Sequence, residues 1–289
     1  MNWVNAVVQG LLLGGLFALF ACGLSLLFGV VGVINLAHGD FAVLGAYVAV
    51  LLLPSTATNA LWALLFVPPL FGFFGYLLQR TLLQRSLEIS PLTTLLVTFG
   101  LSVVVQNGLL EAFSADSHSF NVGSLVTSSF KVDEQLQVSY LRLGVLLVAI
   151  AVLSVLSLFL ARSRTGIQIR AVADDREAAQ MSGVNTRHIV GVAAAIAFAT
   201  VALAGLAYGM TAQFAPYSGS ALLLFAFEAV VIGGIGSLWG TLGGGLILGL
   251  AQSIGFQIDP SLGVLAGHLV FLGVLAFRPT GLVPARAAA

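Results

Sequence analysis

The sequence predicts an all-α polytopic membrane protein, a helical bundle of about 8–9 transmembrane segments with the N-terminus outside and the C-terminus cytoplasmic. Three observations predict it. Of 289 residues, 59% are hydrophobic and only 8% charged, with a mean hydropathy of +1.07, well beyond what a water-soluble core requires. The apolar runs are continuous and about 20 residues long, whereas a closed barrel would alternate over segments of about ten. The basic residues are also asymmetric. Arg80 and Arg85, then Arg162, Arg164, Arg170, Arg176 and Arg187, then Arg278 and Arg286 fall on one side, leaving Lys131 and Arg142 for the other. Basic loops stay in the cytoplasm, which sets the orientation.

A formal net charge of zero and the lack of a basic tail or linker give no sign of nucleic-acid binding and no boundary inside the chain. One transmembrane domain over 1–289 is expected, with a cytoplasmic loop at 162–188 and an extracytoplasmic loop at 114–139. The single cysteine, Cys22, lies within an apolar run, so neither an intramolecular disulfide nor a thiolate metal cluster is expected. The N-terminus lacks a basic n-region and a small-residue cleavage site, so the first apolar run is expected to remain as a span.

The runs fall at 5–29, 34–53, 60–79, 92–113, 140–161, 189–212, 219–236, 238–257 and 262–277. The first holds Gly10, Gly14, Gly15 and Gly23, a spacing that lets helices approach closely in lipid. The second opens on Asn35, His38 and Asp40 among glycines. Two readings stand there: a helix break facing a translocation path, or a cytoplasmic turn with Asp40 capping the next helix. Pro68 and Pro69 should kink the third run. In the fourth, Thr98, Ser102 and Gln106 follow at i+4 and share a face, with Asn107 beside them. That face either bonds to neighbouring helices or lines a polar path. In the 114–139 loop, His118 stands alone beside Asp116 and is expected to be solvated.

The stretch RSRTGIQIRAVADDREAAQMSGVNTR, 162–187, separates two apolar halves. Asp174 with Glu177 three residues on reads as a capping box, and Gly183 as a stop, leaving a helix of about two turns at 175–182. A helix that short needs something to dock on, so it marks the grip of a soluble partner. Further on, Glu228 lies inside an apolar run, where an unpaired carboxylate would cost about 2.5–3.5 kcal/mol. It must pair, protonate or face water, and a role in the path or its gating is the favoured reading. The glycines from 233 to 249 are too dense for a stable simple helix and suggest a tight turn on the inside at 236–240, flanked by closely packed helices. His268 reads as an isolated bundle histidine. No metal, cofactor or catalytic constellation emerges: there is no H-E-x-x-H, G-x-S-x-G or P-loop, so the chain does not itself hydrolyse ATP.

Glu177-Ala178-Ala179 followed by Gly183 resembles the EAA loop of permease subunits of bacterial ABC importers. Together with NLAHGDF at 35–41, VIGGIGSLWGTLGGGLILGLAQ at 231–252 and RPTGL at 278–282, the chain resembles the LivH type of branched-chain amino acid permease nearly end to end. The resemblance implies an inner-membrane subunit without catalytic residues or cofactor. It pairs with a LivM-type permease, two ATP-binding subunits that hold ATP and magnesium, and a periplasmic binding protein. Asp174, Asp175, Glu177, Ala178, Ala179 and Gly183 would then couple to the ATPase. The distal Ile-x-Leu-Pro of the longer EAA pattern is absent, so docking details from other importer classes do not carry over. Candidate path residues, from polarity inside apolar runs, are Asn35, His38, Asp40, Gln106, Asn107 and Glu228. A urea or short-amide permease of the same family remains an alternative. From another class, so does a carrier driven by an ion gradient, for which no internal repeat is visible.

Overall fold

The computed structural model describes residues 3–52, 57–120, 123, 128–133 and 136–283; Arg286 and parts of the 114–139 loop lie outside the described residues. The helices are α1 (Trp3–Val31), α2 (His38–Leu52), α3 (Ala57–Leu78), α4 (Gln84–Ile89), α5 (Pro91–Phe113), α6 (Tyr140–Arg162), α7 (Arg164–Asp174), α8 (Arg176–Met181), α9 (Thr186–Thr211), α10 (Gly219–Gly233), α11 (Leu238–Ile258) and α12 (Leu262–Phe277). An antiparallel hairpin, β1 (Ser129–Asp133) with β2 (Leu136–Ser139), joins α5 to α6. By length and composition, 7 segments could cross a membrane, and α2 and α12 are shorter apolar helices.

The bundle is built round α1 and α9, buried along most of their length. Lipid tails give no hydrophobic drive for helices to associate, so close approach of small residues must supply it. On α1, Gly14 sits so near α11 that a Cβ would come 2.6 Å from the Cα of Leu246, and one on Gly23 would come 2.6 Å from the carbonyl oxygen of Ala197 on α9. The dense glycines sit in closely packed helices on either side of a turn, as expected. Leu238–Ile258 is a single uninterrupted helix, because Gly244, Gly245 and Gly249 press its backbone onto α10 and α1 and packing offsets their poor propensity. The turn lies earlier, with Gly234 (φ 109) and Gly236 (φ 77) left-handed. Pro68 and Pro69 lie inside α3, which runs on through a π-helical turn at Gln79–Leu83 into α4.

The two ends of the bundle differ. At the Trp3 end, Ser253 Oγ donates to the Ala6 carbonyl (2.6 Å), Gln9 to the Gln137 carbonyl (2.7 Å), and Arg142 to Gln9 (3.0 Å). His118 is not simply solvated there: its backbone pairs both ways with Phe214 (2.8 Å each), and its ring meets the edge of buried Tyr47 (5.3 Å). At the Val31 end lie α4, α7, α8, the 234–237 turn and Arg278.

α2 begins beside the middle of α1, not beyond its end. His38 Nε2 is 3.1 Å from the carbonyl of Phe20, about 16 Å back along α1 from Val31 at 1.5 Å per residue. The chain therefore leaves α1, turns at Gly32 (φ 73), and climbs back into the bundle before helix resumes.

Candidate functional site

The 162–187 stretch holds two helices where one was expected. Ser163 Oγ accepts from Gly166 N (2.8 Å) and starts α7, whose face at Gly166, Ile169 and Val172 is buried. Because α7 runs on to Asp174, the cap of the next helix moves one residue. Asp175, not Asp174, is the N-cap of α8: its Oδ1 accepts from Glu177 N (2.9 Å) and Ala178 N (3.0 Å). The reciprocal bond from Glu177 does not form among the described residues. Gly183 is the stop the sequence marked, with φ 85, where the nitrogens of Gly183 and Val184 donate to the carbonyls of Gln180 (3.0 Å) and Ala179 (3.1 Å).

α8 covers six residues with Ala179 buried beneath it and Arg176, Glu177 and Gln180 exposed, so it presents a charged outer face held at both ends. Beside it a polar groove of about 580 Å³ runs between α8 and α4, crossed by the Arg187–Glu88 ion pair (3.0 Å). Glu88 is steadied from below by Gln84 Nε2 (2.9 Å). Asn185 caps α9 by accepting from His188 N (3.1 Å). α8 is thus joined to α9, the long central helix, through a connection of four residues, Ser182 to Asn185.

Deeper in, the structure brings some candidate path residues together and separates others. Asn35 Oδ1 accepts from Ala37 N (3.0 Å) and shapes the turn into α2, while its Nδ2 is buried without a partner. His38 holds α2 to α1, with Nδ1 equally unpartnered. Asp40 does not cap its own helix. It lies against Gly219 at the start of α10, where a Cβ on the glycine would come 2.7 Å from the Asp40 backbone. The N-termini of α2 and α10 therefore meet, each carrying partial positive charge, and a carboxylate between them is electrostatically placed. Gln106 reaches in from α5 and donates to Asp40 Oδ1 (2.9 Å) and to the hydroxyls of Ser220 (3.2 Å) and Ser102 (3.4 Å). Asp40 is buried, Gln106 half-buried and Ser220 exposed, so this polar knot reaches the bundle surface through Gln106 and Ser220. Thr98 and Ser102 are buried on the same side of α5, while Leu96, Phe99 and Val103 face outward. Asn107 is exposed, bonded to its own helix at the Val103 carbonyl (2.8 Å), and not part of the knot.

Glu228 lies two turns further along α10, buried, and bonded through Oε1 to Nδ1 of His268 on α12; its Oε2 has no partner among the described residues. His268 is thus not isolated, as its sequence setting suggested. Ser220 and His268 are the members that sequence reasoning missed. Ser220 lies at i−8 from Glu228, on the same helix face, which was the available signal. No group of three or more His, Cys, Asp or Glu residues able to hold a metal occurs among the described residues.

Comparison with known proteins finds a match over residues 6–277 to the family described as branched-chain amino acid transport system / permease component. The chain is 31% identical over 300 residues to the high-affinity branched-chain amino acid transport system permease protein BraD of Pseudomonas aeruginosa, covering 98% of this chain and 96% of that one. It is 26% identical to LivH of Escherichia coli K12, with the same coverage. It is 27% identical to a probable LivH permease of Methanocaldococcus jannaschii, over 86% of this chain and 80% of that one.

Proposed function

The chain belongs to the family of branched-chain amino acid transport permease components, and from that premise we propose that it is the membrane subunit of an ATP-driven importer of leucine-like amino acids. The observation that carries the coupling half of this reading is α8: a six-residue helix capped by Asp175, stopped by Gly183, exposed on one face and joined directly to α9. A rigid element of that kind transmits a push from an ATPase subunit, with Glu177 and Arg176 offering charge to it and Ala178 and Ala179 seating it. No ATP or magnesium is expected on this chain. A second permease of LivM type, two ATP-binding subunits and a periplasmic binding protein complete the assembly the resemblance implies.

The orientation follows from charge. Arg80, Arg85, the five arginines of 162–187 and Arg278 belong to the Val31 end and Arg142 to the other, which favours that end in the cytoplasm of a bacterial inner-membrane protein. With α2 and α10 each starting where they meet beside the middle of α1, we read nine crossings in one domain: six by long helices (α1, α3, α5, α6, α9, α11), one by the shorter α12, and two in which α2 or α10 supplies half and the non-helical stretch before it the other half. Broken helices at mid-membrane are where transporters place polar contacts. The substrate would pass along the exposed edge of the knot, Gln106 and Ser220, towards Glu228. Selectivity lies mainly with the binding protein.

The test is recovery of the ATPase subunits with the affinity-tagged permease. Glu177→Arg and Gly183→Pro should each abolish co-purification while the chain still inserts; full recovery with both variants would remove α8 from the coupling role.

A further inference from the structure

We propose that the cleft between the Val31 end of α1, α7 and the 234–237 turn binds a free amino acid with an aliphatic side chain. That this cleft opens to the cytoplasm rests on the permease reading above; the chemistry of the cleft does not. Its volume is about 550 Å³, within the range of about 300–1,000 Å³ usual for small-molecule sites.

Arg170 and Asp174 both line it, one helical turn apart on α7. Neither makes an ion pair or a side-chain hydrogen bond among the described residues. A cation four residues before an anion is the poorer order for an intrahelical bridge, which fits their standing apart. Arg170 offers a cation to a carboxylate and Asp174 an anion to an ammonium, the two charges of a zwitterion. Leu26, Leu160, Ile235 and Leu238 line the same cleft and offer apolar surface to an aliphatic side chain. Ser25 also lines the cleft, its hydroxyl fully buried and without a hydrogen-bond partner. Gly29 and Val30 bring the last turn of α1, whose free carbonyls carry partial negative charge and favour an ammonium. A ligand here touches α7, which leads into the docking helix, and the turn between α10 and α11. Its occupancy would report the internal amino acid pool to the element that couples transport.

The experiment is equilibrium dialysis of radiolabelled leucine against the full chain in nanodiscs, without partners. Saturable binding is expected, with Arg170→Gln and Asp174→Asn each weakening it about tenfold or more, as loss of a charge-assisted hydrogen bond requires. Both residues are exposed, so both variants should fold. Isoamylamine and 4-methylpentanoate, each lacking one charge of leucine, should compete at least about tenfold less well. No saturable binding, binding unchanged in both variants, or competition by 4-methylpentanoate equal to that of leucine would each overturn the proposal. Binding lost in Glu228→Gln but kept in the α7 variants would move the ligand to the mid-bundle path, overturning the cleft and leaving the permease reading intact. Binding at the cleft without ATP-driven uptake by the assembled importer would instead sink the permease reading alone.

Discussion

Removing His268 should destabilise the bundle more than its half-exposed position suggests. Among the described residues its ring nitrogen makes the only hydrogen bond of the Glu228 side chain, which is 1% exposed and whose other carboxyl oxygen has none. His268→Leu therefore leaves a carboxyl group wholly unpaired between α10 and α12. Breaking a buried pair costs about 3–5 kcal/mol, and the 31% exposure of the histidine side chain places the expectation near the lower figure. On the scale of about 2–4 °C per kcal/mol for a chain of this order of size, the melting temperature in detergent should fall by roughly 6–12 °C. Replacing both members, Glu228→Met with His268→Leu, removes the unpaired carboxyl and should restore most of that loss. Glu228→Gln keeps a hydrogen bond to the imidazole and should stay close to the wild type in stability. Any loss of uptake in that variant then reports the path and not the fold. A His268→Leu protein melting within about 2 °C of wild type, or a double variant as unstable as the single, would refute the reasoning.

Three further outcomes are expected. Asp175→Ala should loosen α8 by about 1 kcal/mol and weaken ATPase co-purification about fivefold, Asp175→Ser should restore it, and Asp174→Ala should leave it unchanged. Gly219→Ala drives a methyl group into the Asp40 backbone and should cost about 1–3 kcal/mol in thermal stability, whereas Gly100→Ala and Gly108→Ala, with nothing within 4 Å, should be neutral or slightly stabilising. Glu88→Gln removes an ion pair exposed on both sides and should leave the melting temperature almost unchanged, with any difference vanishing at high salt.

Helix positions were legible because lipid demands long apolar runs with satisfied backbones, and each run corresponds to a helix. The start of α2 was not, since NLAHGDF reads equally as a cytoplasmic turn and only the contact between His38 and Phe20 shows how far the chain climbs back. The partners of Leu238–Ile258 were hidden for a related reason: its glycines announce close packing, but the α1 and α10 backbones they meet are not named by any local signal. The short helix α8 was legible because its stop, Gly183, has a local cause, a left-handed residue. Its cap was misplaced because Asp174 and Asp175 are chemically equal, and the choice was made by α7, whose apolar face of Ile169 and Val172 is only two residues wide. The partnerships of Gln106 with Ser220 and of Glu228 with His268 span 114 and 40 residues, and no spacing rule reaches that far.

The most direct measurement is uptake of radiolabelled leucine and urea into proteoliposomes holding this chain with its candidate second permease, ATPase subunits and binding protein. Leucine should accumulate only when ATP is supplied to the side bearing α8, should persist when a protonophore collapses the ion gradient, and should exceed urea. Accumulation of leucine by this chain alone, without ATP and abolished by the protonophore, would contradict the account and make it a gradient-driven carrier.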